Sequence, residues 1–141
     1  MELLTDNEKA EAVRSYASQT IGSEDFHRHG LCRWFYSTDG MQFLATTCSA
    51  FWLIDAIASH VATNKRLQAE PFQLWTLHPK GPRGLLLLCT DGDKGPGPIT
   101  LAEQEIHLSD FPRELLPLRL FLERGQVAGK AGMTLMLPEE R

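Results

Sequence analysis

The longest apolar stretch, Ala50 to Ala62, holds no glycine or proline and only three polar side chains, Asp55, Ser59 and His60. At about 100° per residue it predicts a helix over 48–62, with Thr47 or Ser49 as cap. Cys48, Trp52, Asp55 and Ser59 then share one stripe, and Phe51, Leu53, Ile54, Ile57 and Val61 cover the rest. A helix apolar almost all round belongs inside a domain. It is too short to span a membrane, which takes about 20 apolar residues. The stripe admits two readings. Asp55 and Ser59 face solvent or satisfy a loop, or Asp55 is a buried carboxylate on a pocket floor.

The pattern before this helix predicts a hairpin. Phe35-Tyr36 begins a strand, and Ser37-Thr38-Asp39-Gly40 turns it, since Asp-Gly supplies the positive φ of a tight turn. Met41 to Ala45 alternates as the returning strand. Upstream, residues 5–19 read as a helix capped at Thr5, Asp6 or Asn7, with Val13, Tyr16 and Ala17 as its apolar stripe. A second short helix, capped by Ser23, runs to His29 and stops at Gly30.

Downstream, residues 63–71 form a polar exit. Phe72 to His78 alternates as a strand, and the unbroken run Leu85 to Cys89 suggests one covered on both faces. Ile99 to Leu108 carries Glu103, Gln104 and Glu105, which suits an edge strand. Ser109 to Pro112 starts a helical turn. Leu118 to Glu123 and Met133 to Leu137 are strands flanking a glycine-rich turn, Gln126 to Gly132. Early helices and late strands predict one α+β domain over 1–141: a largely antiparallel sheet with the central helix on one face, behind short N-terminal helices.

Composition narrows the function. A net charge of −4 argues against a nucleic-acid partner. Three cysteines, Cys32, Cys48 and Cys89, with no Cys-x-x-Cys pair, suggest neither a disulfide framework nor a zinc ribbon. The acidic start lacks a basic, apolar leader, so a reducing cytoplasm and no membrane are expected.

The candidate chemistry is scattered. His27-Arg28-His29 places two imidazoles about 200° apart on a helix but side by side on a strand, where a metal would still need donors such as Asp39, Asp55, His60 or His107. No paired ligand spacing supports this, and no metal or cofactor is expected. His60 lies about 140° from Asp55 on the helix, which weakens an acid/base pair. Cys48 near a helix start is a candidate nucleophile. Asp91 to Gly95 opens like a calcium loop, but Pro96 stands in place of the required glycine. Lys80 to Gly84 lacks the spacing of a phosphate loop.

Thr38-Asp39-Gly40, Phe43-Leu44-Ala45 and above all Trp52-Leu53-Ile54-Asp55-Ala56-Ile57-Ala58-Ser59 resemble a family of small uncharacterised bacterial and phage proteins, often carried on mobile elements. Phe26 to His29, Phe72 to Trp75, Ser109 to Pro112 and Leu135 to Pro138 agree with it in order, so the resemblance spans 21–138 behind a helical segment at 1–20. It implies a setting but no catalytic residues. Two functions follow. The favoured one is a non-catalytic protein-binding or regulatory accessory factor, binding through Asp39, Trp52 and Ser59, with homo-oligomerisation open. The alternative is a small enzyme or metal-binding protein using His27, His29, Asp39, Asp55 and Cys48.

Overall fold

In the computed structural model the described residues are 4–19, 25–92 and 99–141. Helix α1 (Asp6–Gln19) starts where Thr5 and Glu8 cap each other, the Thr5 hydroxyl accepting from the Glu8 amide at 3.2 Å and the Glu8 carboxylate from the Thr5 amide at 3.1 Å. Strands β1 (Phe26–Arg28) and β2 (Phe35–Thr38) follow, then α2 (Asp39–Thr47), α3 (Phe51–Thr63) and α4 (Lys65–Ala69). Strands β3 (Phe72–Lys80), β4 (Gly84–Thr90), β5 (Thr100–Ile106), β6 (Leu118–Val127) and β7 (Lys130–Met136) complete one seven-stranded sheet, ordered β1-β2-β7-β6-β3-β4-β5. Among the described residues only β2 and β7 pair in parallel. This is the α+β domain expected.

Each helix sends residues into one core: Val13 from α1, Met41 and Leu44 from α2, Leu53, Ile57 and Val61 from α3, and Leu67 from α4. They meet the inward residues of the sheet, among them Phe35, Trp75, Leu77, Leu85, Leu87, Leu120, Leu122 and Leu135. Gln73 is fully buried there. Its amide donates to the Leu67 carbonyl at 2.6 Å, and its oxygen accepts from the Trp75 indole at 3.0 Å.

The expected hairpin is instead the start of a helix. Thr38 is the N-cap of α2, its hydroxyl accepting from the Met41 amide, and Gly40 lies within the first turn. Met41, Leu44, Ala45 and Cys48 recur at helical spacing and are all buried. That face outweighs the Asp-Gly turn signal. Neither Thr47 nor Ser49 caps the central helix. Thr47 closes α2, Ser49 is a left-handed link with φ 52°, and Ala50 heads α3 without a side-chain cap. The central helix thus begins at Phe51, which leaves Cys48 off its polar stripe.

The short helix expected from Ser23 is a strand where it is described. Residues 26–28 pair with β2, and residues 20–24 lie outside the described set. The polar exit contains α4, capped by the Asn64 side chain, which accepts from the Arg66 and Leu67 amides. The glycine-rich turn shrinks to Ala128-Gly129, both at positive φ, between β6 and β7. Strand β5 is indeed an edge. Among the described residues strand β4 is covered on one face only: Leu85, Leu87 and Cys89 point into the core, while Leu86 and Leu88 lie half-buried on the other side.

Candidate functional site

A cleft of about 1050 Å³ lies between the outward stripe of α3 and the segment from β1 to β2. On the helix side, Phe51, Ile54, Asp55, Ala58, Ser59 and Ala62 line it at steps of three and four. On the other side stand His27 and the loop His29–Trp34. His27 lies on β1, and His29 is the first residue past it, where its amide still donates to the Phe35 carbonyl at 2.8 Å.

They do not converge on one point. His27 Nε2 meets Asp39 Oδ1 at 2.8 Å, and His29 Nε2 meets Asp55 Oδ1 at 2.8 Å. His29 Nδ1 accepts from the Leu31 amide at 3.2 Å and the Cys32 amide at 3.0 Å. An acceptor nitrogen has no proton, so Nε2 carries it and donates to Asp55. Both ring nitrogens are thereby used in folding the loop 29–32 back onto α3. Asp55 itself is an exposed carboxylate, its side chain 70% accessible. Ser59 is exposed as well. The solvent-facing reading of these two holds, and Asp55 is no buried floor.

The other candidates sit apart. Cys48 is buried at the C-terminus of α2, where burial pushes its thiol up to about 11, the reverse of activation. Trp52 is half-buried, edge-on to Phe111 with ring centroids 6.5 Å apart. His60 leaves the cleft for Gln104 of β5, at 2.6 Å. Among the described residues, no three His, Cys, Asp or Glu side chains are grouped to hold a metal ion.

Apolar and cationic groups rim the cleft. Leu31 is 93% exposed and Phe51 47%. Arg28 and Arg33 are exposed beside them, and neither forms an ion pair among the described residues. The sequence reading passed over Leu31 and Arg33. Their signal was an apolar residue next to cations in a segment otherwise read as the approach to a hairpin.

Sequence reading also missed Glu140. The last 3-10 turn, Pro138–Glu140, brings this carboxylate under the start of α2. Oε1 accepts from the Thr38 hydroxyl at 2.5 Å and the Leu137 amide at 3.1 Å, and Oε2 accepts from the Gly40 amide at 3.0 Å. A Cβ on Gly40 would lie 2.4 Å from Oε1. Thr38-Asp39-Gly40 therefore owes its glycine to a buried carboxylate about one hundred residues away. Asp39, next in that motif, holds His27.

Among the described residues, no helix is long and apolar enough to cross a membrane. The model of a family of unknown function, DUF6876, matches residues 11–141. No curated protein and no solved structure matches the chain.

Proposed function

Because the chain belongs to DUF6876, a family of unknown function, we propose from the geometry that it is a non-catalytic binding module whose cleft takes an acidic, amphipathic helix of another protein. The observation that carries this is the pairing of exposed Leu31 and Phe51 with Arg28 and Arg33, which form no ion pair among the described residues, around a cleft whose acid/base groups are already engaged. Large apolar side chains left in water at a concave surface mark an interaction site.

The helical wall from Phe51 to Ala62 is about 17 Å long, room for about three turns of a partner helix. Ala58, Ser59 and Ala62 are small, so another backbone comes close to α3 there. Leu31 and Phe51 then grip apolar side chains spaced three or four apart. Arg28 and Arg33 select carboxylates flanking them, although the whole chain carries −4. Ser59 contributes to this surface. Asp39 and Trp52 act from behind it, Asp39 through His27 and Trp52 through packing. The setting implied by the sequence resemblance, an accessory or regulatory factor of a bacterial or phage mobile element, fits a module that acts by docking.

The test is selection from a displayed library of helical peptides against the intact chain. Enriched peptides should carry an apolar stripe flanked by Asp and Glu. Their affinity should fall at least tenfold for Leu31→Asp and for Arg33→Glu, both exposed positions, in variants whose circular dichroism melts match the parent's. Peptides that bind both variants as tightly as the parent overturn the reading.

A further inference from the structure

The Leu85–Cys89 run remains unexplained by the fold, because the described residues cover only one face of β4. The opposite face of the sheet presents Leu74 from β3, Leu86 and Leu88 from β4, and Phe121 from β6, all half-buried. An antiparallel sheet with one wet face normally alternates apolar and polar residues. Here the wet face is leucine-rich at its centre. One corner is already occupied: Arg141 lies over the rings of Phe72 and Phe121 and pairs with Glu123 at 2.5 Å. The leucines lie beyond that corner, and none of them lines the cleft.

The strand register puts charges of opposite sign at the two sides of this patch. Glu103 of β5 stands opposite Leu88, Leu88 opposite Thr76, and Thr76 opposite Arg119 of β6. These four residues form one row across four strands, all on the outer face. Its ends are about 14 Å apart, three strand spacings, too far to pair with each other. Glu103 and Arg119 are both exposed, and neither has an ion-pair partner among the described residues.

We propose that this face packs against the same face of a second copy of the chain, about a two-fold axis parallel to the strands between β3 and β4. Such an axis turns the row end for end. Glu103 of each protomer then lies over Arg119 of its partner, and Leu88 over Thr76, with each contact made twice, as an isologous interface requires. Face-to-face sheets pack about 10 Å apart with strands nearly aligned, which this operation produces. Four strands and the seven paired rungs of β3 and β4 cover about 450 Å² per protomer in projection. Side-chain relief enlarges that, so the two protomers together reach about the 1,000 Å² expected of a specific interface. The second copy supplies the layer that the leucines of β4 lack. The helix side of each protomer, with its cleft, stays open.

Sedimentation velocity on the intact chain from about 1 to 100 μM tests this. The expected mass is twice 15.8 kDa. Glu103→Arg or Arg119→Glu alone creates two like-charge contacts per dimer and should raise the dissociation constant at least tenfold. The double exchange should return it to within about threefold of the parent. Circular dichroism melts of all four chains show that each is folded. A monomer at 100 μM overturns the proposal, as does a dimer indifferent to the single exchanges or not restored by the double one.

Discussion

Gly40→Ala should strongly destabilise this protein, yet do no harm once Glu140 is gone. In the parent chain the new methyl would sit 2.4 to 2.8 Å from the carboxylate atoms of Glu140. That carboxylate is the end of a flexible side chain, but three hydrogen bonds hold it. Moving it breaks them, and a buried N–H left unpaired costs about 1–3 kcal/mol. Gly40→Ala alone should therefore cost about 2–4 kcal/mol. Glu140→Ala removes the same acceptor and should cost about 3–5 kcal/mol, with water in the vacated space recovering part. Adding Gly40→Ala to Glu140→Ala has nothing left to clash with. Alanine is favoured over glycine in a helix by up to about 1 kcal/mol, so the second change should then be neutral or mildly stabilising. Urea unfolding followed by tryptophan fluorescence gives all four stabilities. The double-mutant cycle should show a coupling of at least about 2 kcal/mol. If Gly40→Ala costs the same in both backgrounds, or Glu140→Ala costs under about 1 kcal/mol, the carboxylate does not hold α2.

Two further outcomes follow from the core. Replacing Gln73 by Leu leaves the Trp75 indole N–H without a partner in the interior and the Leu67 carbonyl with only the Glu70 amide, and should lower stability by about 1–3 kcal/mol in urea unfolding. The three cysteines are free and buried, and burial pushes the thiols of Cys48 and Cys89 up to about 11 and about 12. Ellman's reagent at pH 8 should find none of them in the native protein and all three in denaturant. Raised folded-state values stabilise the protonated thiols. Their contribution is complete below the ordinary thiol value of 9.0 and is lost as pH rises from there toward 11–12, so unfolding midpoints should fall across that range and less steeply in Cys48→Ala.

The elements legible in the sequence were those whose signal is local. The apolar period of α3, the alternation in β3 and the acidic residues of β5 each lie within one segment, and each gave the right element. The errors fell where a distant partner decides. Thr38-Asp39-Gly40 looks like a turn until Glu140 arrives to complete a helix start. Phe26 to Arg28 has acidic residues ahead of it that suit a helix, but pairing with β2 makes it a strand. The same holds for the site. His27, His29, Asp39 and Asp55 could be named as polar candidates, and two close pairs formed from them. Which histidine would meet which carboxylate depended on how β1 lies against α2 and α3, and no spacing in the chain encodes that.

The parallel pairing of β2 with β7 and the Glu140 contact at α2 set an order of events during synthesis. The early half of the molecule cannot settle until residues 133–140 have left the ribosome, because its inner strand and its second helix both wait for them. Such wide loop closure slows folding. A ribosome that stops short of Glu140 should release a chain in which Phe35 of the inner strand and Met41 and Leu44 of the second helix lack their cover, a substrate for chaperones and proteases rather than a working fragment.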